Sequence, residues 1–552
     1  MSGIDNSPAA ESARTVYEMF AAAAATSPDR PFLVVPSCSE RAYLQDGAEF
    51  TYAQALAEIN AVAALYRQAG YGPRHRVALV VGNRPEHFWH FLALNALGAC
   101  AVPLNPDYLP HEFAHGLRQA SVSLVIMAGE AGSRVRAGAA ELSPAPAVVD
   151  LDAGEFVIPA PSCPAVPAVD DAEERAALII YTSGTTSRPK GCMISNSSCL
   201  ASGRSYVDVG GLLTLEPDVE RLYVPLPTFH MNACVLALNA MLRQRGCLIV
   251  TDRFRASRWW AEIRETRATG VHYLGLIPPI LLKMPHAENE GAPTVKFGLG
   301  AGVDPVLHAP FEERFGFPLI EVWGMTETSR LIANASEPRR TDTRAFGKPH
   351  APLEVLVADD DDRPVAVGQS GQLLVRCAGS DPRSGFFSGY VNDAAATEEA
   401  WQNGWFHTGD VVRQDDDGML YFVERRKNII RRSGENIAAA EIEEALIGDP
   451  FINGVVVLAV VDPIRDEEPL ACVVLSEGRT PCLDEAKRIF DESKATLASH
   501  KLPGWIQFIQ DIPVTATQKV RKDVLLASFD PSNPNAFDMR PFKTRKNTSN
   551  QA

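Results

Sequence analysis

Apolar residues recur at helical spacing from Ala55 to Gly70, and the next apolar run, Val77-Ala-Leu-Val-Val81, is continuous and ends at the turn residues Gly82 and Asn83. The first pattern predicts an amphipathic helix and the second a strand buried on both faces. The same rhythm returns at Leu92 to Val102, Leu124 to Met127, Leu178 to Tyr181, Leu248 to Thr251 and Val271 to Leu276. Alternating helices and short apolar strands predict α/β layers with a mostly parallel sheet. Between Ala139 and Ala168 the chain is rich in Ala, Pro and Ser with little period, and reads as a surface connection. From Leu353 to Arg376 short alternating runs separated by Gly and Asp turns predict a small antiparallel, barrel-like section.

Beyond Asn436 the pattern changes. Ile437 to Leu446 is an amphipathic helix, Gly454 to Val461 a strand and Ala486 to Leu497 another helix, which predicts a smaller α+β domain of about a hundred residues. Asp530 to Ala552 is polar and rich in Pro and Asn, and is expected to be a disordered tail. No internal repeat is found.

A chain of 552 residues with 46% hydrophobic composition has more than one core's worth of apolar surface. Its formal charge of −16 argues against nucleic acid or an anionic membrane as partner, so an anionic substrate needs a local basic site. The 10 cysteines form no C-x-x-C pair, which speaks against a zinc site or a disulfide framework and for reduced thiols. Met1 to Glu11 is polar and acidic, and no apolar run reaches the roughly 18 to 20 residues of a membrane helix, so a cytoplasmic protein without signal peptide or span is expected.

The segment Leu178-Ile-Ile-Tyr-Thr-Ser-Gly-Thr-Thr-Ser-Arg-Pro-Lys-Gly191 sets an apolar strand before hydroxyl residues, a glycine and two cations. Such a loop offers backbone N–H groups, hydroxyls and positive charge to phosphate oxygens. It lacks the G-x-x-x-x-G-K-[ST] spacing of a Walker A loop. An ordinary surface turn is the alternative reading of the loop by itself.

Tyr181-Thr-Ser-Gly-Thr-Thr-Ser-Arg-Pro-Lys-Gly191 resembles the signature of the adenylate-forming superfamily, which comprises acyl-CoA synthetases, peptide synthetase adenylation domains and luciferase. Further strings follow in family order from about Thr51 to Lys522, and their combination is far more specific than any one. Ser187 stands where the family usually has glycine. The resemblance implies ATP contacts from Thr182, Ser183, Gly184, Thr185, Thr186 and Lys190 in this loop. It also implies an adenine wall from Gly300, Ala301 and Gly302, and an acidic turn from Glu321-Val322-Trp323-Gly324 through Met325-Thr326-Glu327. Trp323, in place of the usual tyrosine, would stack on the purine, although a core tryptophan is the other reading of an aromatic there. Glu327 would hold Mg²⁺ against the triphosphate and Thr326 would donate to phosphate.

Trp405-Phe-His-Thr-Gly-Asp410 resembles the segment whose aspartate accepts from both ribose hydroxyls, and Glu424-Arg-Arg-Lys-Asn-Ile-Ile-Arg-Arg-Ser-Gly-Glu-Asn436 the interdomain junction, with Arg425 on ribose or phosphate and Lys427 as hinge. Arg432, Ser433 and Gly434, with Arg431, would meet coenzyme A. Pro513-Val-Thr-Ala-Thr-Gln-Lys519 resembles the loop of the adenylation lysine, with Gln518 where glycine is usual. The cation of Lys519 would bridge the incoming carboxylate and the α-phosphate. Pro225-Leu-Pro-Thr-Phe-His230 matches the family's P-L-x-x-F-H segment. His230 would stand near the carboxylate and thiol entry, and Met231, Asn232, Val235 and Leu236, with Gly302 and Met325, suggest a largely apolar acyl pocket with a polar handle at Asn232. A histidine there lacks the fixed negative charge that pairs with an amino-acid ammonium, so free amino acids are poor candidates.

The resemblance thus implies a large N-terminal adenylation domain over residues 1–426, a mobile C-terminal domain over 427–530 carrying Lys519, and the tail over 531–552. It implies an ATP-dependent acid–thiol ligase using Mg²⁺ and coenzyme A, nearest in its strings to crotonobetaine/carnitine-CoA ligases. Its partner is a small-molecule carboxylic acid, with a homodimer left open. Loading of a carrier-protein phosphopantetheine and a catalytically silent nucleotide-binding scaffold stay as alternatives.

Overall fold

The structure is a computed structural model that describes residues 12–154, 156–161, 165–167, 169–182, 189–286, 290–291, 293–432, 435–514 and 520–543. The chain divides into two compact units. Residues 1–356, 374–407 and 415–421 make the first, and residues 357–373, 408–414 and 422–552 the second.

Fourteen strands in chain order build two sheets of the first unit: β1 Pro31–Val35, β2 Ala48–Thr51, β3 Arg76–Val80, β4 Cys100–Pro103, β5 Leu124–Met127, β6 Ala147–Asp150, β7 Ala176–Thr182, β8 Lys190–Ser195, β9 Arg221–Val224, β10 Cys247–Val250, β11 Gly270–Leu274, β12 Phe297–Ala301, β13 Leu319–Gly324 and β14 Leu331–Ala333. One sheet runs β14-β13-β12-β11-β9-β10-β1-β2, and the other runs β8-β7-β4-β3-β5-β6 with the short strand Gly389–Tyr390 outside β8. The interior pairings are parallel, and antiparallel pairs sit at or near the edges, as in β13 with β14 and β7 with β8. The continuous apolar runs are what parallel strands with both faces covered require. Val80, Val102, Phe113, Leu117, Val125, Met127 and Ile179 accordingly form one packed cluster.

Local chemistry starts the helices where the sequence pattern places them. The helix Tyr52–Gln68 opens on Thr51, whose hydroxyl accepts from the Gln54 N–H while the Gln54 side chain accepts from the Thr51 N–H, a reciprocal capping box. In the stretch from Ala139 to Ala168, expected to be only a surface connection, Ala147–Asp150 instead pairs in parallel with β5 and extends the sheet. Four residues, half-buried at an edge, leave too short a pattern to register as a strand. The short strands expected between Leu353 and Arg376 are present as Leu353–Ala358 and Ser370–Cys377.

In the second unit, helices Ala439–Ile447 and Leu483–Ser493 pack with strands Ile452–Asp462, Asp466–Leu475 and Trp505–Phe508 around Ile442, Val457, Ala471, Val473, Ile489 and Phe490. The polar segment after Asp530 is not a tail throughout: Ala536–Asp538 pairs antiparallel with Trp505–Phe508, and Met539 is fully buried in the same core. Three apolar side chains, Phe537, Met539 and Phe542, supply the anchoring, and polar neighbours mask them in a composition count. No helix among the described residues is long and apolar enough to cross a membrane.

Candidate active site

Strands β7 and β8 flank the loop expected to bind phosphate. Thr182 pairs with Lys190 across the hairpin, so both stems are fixed in register, and the Thr182 hydroxyl donates to the Lys190 carbonyl at 3.4 Å. Ser183, Gly184, Thr185, Thr186 and Ser187 lie outside the described residues. The Lys190 ammonium sits 4.9 Å from the centre of the Tyr390 ring, and the Tyr390 hydroxyl donates to Glu327 Oε1 at 3.0 Å. One tyrosine therefore touches both the loop cation and the acidic-turn carboxylate. Burial and the neighbouring Glu327 charge hold the Tyr390 phenol well above its ordinary range, so it remains a donor.

The acidic turn follows β13. Thr328 and Ser329 both donate N–H groups to the Met325 carbonyl, and Ser329 takes a left-handed φ of 48°. Glu327 is buried on that turn, its own carbonyl accepting from the Phe387 N–H, while Thr326 stays half-exposed. No group of three His, Cys, Asp or Glu side chains able to hold a metal occurs among the described residues. A single carboxylate with a pinned oxygen nevertheless suits Mg²⁺, which takes one or two carboxylates plus substrate phosphates and keeps its waters. Glu327 is the residue here that fits it.

The expected adenine wall lies at the end of β12. Ala301 and Gly302 are exposed, and Gly302 has φ +86° with open space where a Cβ would lie. Gly300 is different: a Cβ there would stand 2.4 Å from the Tyr273 carbonyl oxygen, so close strand approach demands glycine. Glu321, expected among the nucleotide contacts, is used inwardly. Its carboxylate accepts from the Gly302 N–H at 2.9 Å, the Val303 N–H at 3.2 Å and the Tyr273 hydroxyl at 3.0 Å. Burial, against these hydrogen bonds, pushes its pKa up. Its work is to fix the turn that exposes Ala301 and Gly302. Val322 is half-buried and Gly324 exposed on the same strand. Trp323 is only 6% exposed and lies 6.4 Å from the Phe346 ring, the placement of a core tryptophan rather than an open stacking platform.

The segment carrying His230 is held by a residue that pattern reading took for a plain turn. Asn83 donates to the carbonyls of Leu226 and Thr251 and accepts from the Thr228 N–H at 2.8 Å, tying the ends of β3, β9 and β10 together two residues before His230. Beyond His230 the chain forms one turn of π-helix, Asn232–Ala237. Such turns frequently mark functional sites. Met231, Asn232, Leu236 and Met325 are half-buried, whereas Val235 is fully buried and does not face an open pocket.

Asp410, in the second unit, is buried with its Oδ1 2.8 Å from the Arg425 guanidinium, so the two expected ribose contacts meet each other. Gly409 before it has φ +71°. The backbone of Lys427 lies in the 3₁₀ turn Arg426–Asn428. Glu424 clasps that turn: one oxygen accepts from the Arg425 N–H and the Asn428 amide, the other from the Ala440 N–H at a helix start. Arg432, expected on coenzyme A, is instead buried against Glu468 at 2.8 Å, beside the Lys543 ammonium. Its alternation with exposed Arg431 along the strand Ile429–Arg432 turns it inward. Ser433, Gly434 and Lys519 lie outside the described residues.

Elsewhere in the first unit, His111-Glu-Phe-Ala-His115 has the H-E-x-x-H spacing of zinc peptidases. Glu112 there accepts from the Leu109 N–H as a helix cap, and no third metal ligand joins it among the described residues.

Layered α/β sheets, a glycine-rich hairpin loop and an acidic turn joined by one tyrosine define a nucleotide-using enzyme, and the profile of the AMP-binding enzyme family matches residues 20–391. The chain belongs to that family. Its C-terminal domain profile matches residues 441–519. Among curated proteins the chain is similar to the crotonobetaine/carnitine–CoA ligases of Salmonella paratyphi A and Salmonella typhimurium, each 30% identical over 493 residues, 86% of this chain and 92% of the relative. Among solved structures it resembles o-succinylbenzoate CoA synthetase of Bacillus subtilis with its acyl-adenylate, at a TM-score of 0.77 and 24% identity over 92% of this chain and 97% of that one. It also resembles the amide bond synthetase McbA of Marinactinospora thermotolerans, at a TM-score of 0.79 and 22% identity over 94% and 100%.

Proposed function

We propose that this enzyme is an AMP-forming carboxylate–CoA ligase: it joins a carboxylic acid to ATP as an acyl-adenylate and transfers the acyl group to coenzyme A. The observation that carries the reading is the link through Tyr390, which sets the stem of the phosphate loop and Glu327 against one another. In the first half-reaction a substrate carboxylate oxygen bonds to the α-phosphorus as the bond to pyrophosphate breaks. Lys190 and the loop hydroxyls offset phosphate charge, and the base rests against exposed Ala301 and Gly302. Mg²⁺, when bound at Glu327, supplies neutralisation of the β- and γ-phosphates. Lys519 stabilises the charge shared by carboxylate and α-phosphate. In the second half-reaction the thiol sulfur bonds to the acyl carbon and AMP leaves, with Lys427 as the hinge that exchanges the two arrangements.

The test is detection of AMP and pyrophosphate across a panel of carboxylic acids, each with and without coenzyme A. Acid-dependent AMP release with a thioester product supports the ligase. Retained acyl-adenylate, discharged only by a carrier-protein thiol or an amine, would replace coenzyme A as acceptor. No turnover with any acid would overturn the reading.

A further inference from the structure

Behind the half-buried Asn232 runs a short polar chain into the core. The His272 Nδ1 lies 2.6 Å from Asn232 Oδ1, and its Nε2 lies 3.0 Å from the Tyr206 hydroxyl. Tyr206 and His272 are both fully buried, on the helix Asn196–Asp208 and on β11. The direction of every hydrogen in this chain follows from one requirement, that a buried hydroxyl must donate to something. His272 is the Tyr206 hydroxyl's partner in the structure, so Tyr206 donates to Nε2. Nε2 then carries no hydrogen, and a neutral ring holds its one hydrogen on Nδ1, which donates to Asn232 Oδ1. Burial drives the His272 pKa down to about 3, in keeping with a neutral ring. One lone pair of the Asn232 carbonyl is thus taken from the protein side, which turns the oxygen toward His272 and leaves the NH₂ group as the donor that Asn232 presents away from it.

The surroundings say where that group stands. Leu274 lies two residues beyond His272, on the same face of β11, and is 39% exposed at the strand's end. The following Gly275 is so close to Gly302 that a Cβ would stand 2.0 Å from the Gly302 carbonyl oxygen, which ties this strand end to the adenine wall. Met231 and Leu236 flank Asn232, half-buried.

We infer that Asn232 is a specificity-determining residue, oriented through Tyr206 and His272 as a fixed hydrogen-bond donor, and that the acid activated here carries an oxygen acceptor, a hydroxyl, keto or second carboxyl group, rather than a quaternary ammonium. This rests on the ligase reading and on the acyl pocket lying beside His230. A donor NH₂ offers a cation no negative charge, and neither do the neutral histidine and the phenol that orient it. The acids named for the curated relatives, which carry a quaternary ammonium group, are therefore predicted to be poor substrates of this enzyme.

The experiment compares kcat/KM for size-matched acids in three forms: with a hydroxyl or keto oxygen, with that oxygen replaced by hydrogen or CH₂, and with a trimethylammonium group. The wild-type enzyme is expected to favour the oxygen-bearing acid over its deoxy analogue by about tenfold or more. Asn232→Leu should collapse that ratio toward one, and the isosteric Asn232→Asp should move preference toward the trimethylammonium acid. Tyr206→Phe frees His272 to hold its hydrogen on Nε2 and the amide to turn over. It should raise KM for the oxygen-bearing acid with kcat and the KM for ATP unmoved, a split that mere destabilisation would not give. Equal or better turnover of the trimethylammonium acid by the wild type, or an intact oxygen preference in Asn232→Leu, overturns the inference while leaving the ligase standing. Absence of AMP formation with every acid overturns the ligase reading itself.

Discussion

Single side chains at this site are valued for what their neighbours leave free. Tyr390→Phe keeps the ring against Lys190 but withdraws the hydroxyl from Glu327, and the loss of a hydrogen bond to a buried carboxylate should lower kcat/KM for ATP about ten- to a hundredfold, read by acid-dependent pyrophosphate exchange. Lys519→Ala should lower the same exchange by roughly 10² or more while thioester formation from supplied acyl-adenylate persists. Retained exchange in that variant would remove Lys519 from the first half-reaction. Sequence strings name Glu327, Asp410 and Lys190 as candidates because each sits in a short contiguous motif. They missed Tyr390, Asn83, Tyr206 and His272, which reach the site through contacts tens to hundreds of residues apart along the chain. Strings also cannot report direction: Glu321 and Arg432 stand at motif positions, yet their charges are spent on Gly302, Val303 and Glu468 inside the fold.

At the scale of elements, apolar runs identified the buried parallel strands because burial on both faces writes itself into consecutive residues. Edge strands were illegible for the opposite reason, as Ala147–Asp150 and Ala536–Asp538 show with their half-buried patterns. Elements are also joined by charge. Glu312, on the helix His308–Phe315, accepts from both terminal nitrogens of Arg339 at 2.7 Å and from the Leu319 N–H at the start of β13. Burial alone would raise its pKa, but hydrogen bonds from Arg339 and Leu319, with the His308 ring 3.8 Å away, outweigh it and bring the carboxyl down to about 2 from 4.5. A depressed carboxyl contributes stability that is complete above the unfolded value and is lost as pH falls through the folded one. The thermal midpoint of Glu312→Gln should therefore lie below wild type near neutral pH, with the gap closing between about pH 4.5 and about pH 2. A gap that stays constant with pH would show that the pairing, and not the charge, is what matters.

Over the whole molecule, the second unit draws on three separated stretches of chain, residues 357–373, 408–414 and 422–552. Its core is completed by Met539, with Lys543 buried against Glu468. Removing residues 531–552 should accordingly destabilise this unit by about 3–5 kcal/mol, from the lost core side chains and the lost Lys543 partner of buried Glu468, measured as an early transition in urea. Unchanged unfolding would return the segment to the status of a polar tail. Composition alone pointed to that status, because it averages over the few apolar anchors that decide. The same arrangement bears on how the protein is made. Strand Ala536–Asp538 leaves the ribosome long after residues 357–373. At about 5–20 residues per second, synthesis from Leu373 to Asp538 lasts roughly 10 to 30 s. Through that interval an early-made piece of the second unit waits without its finished core, which makes this unit the one that nascent-chain chaperones would guard.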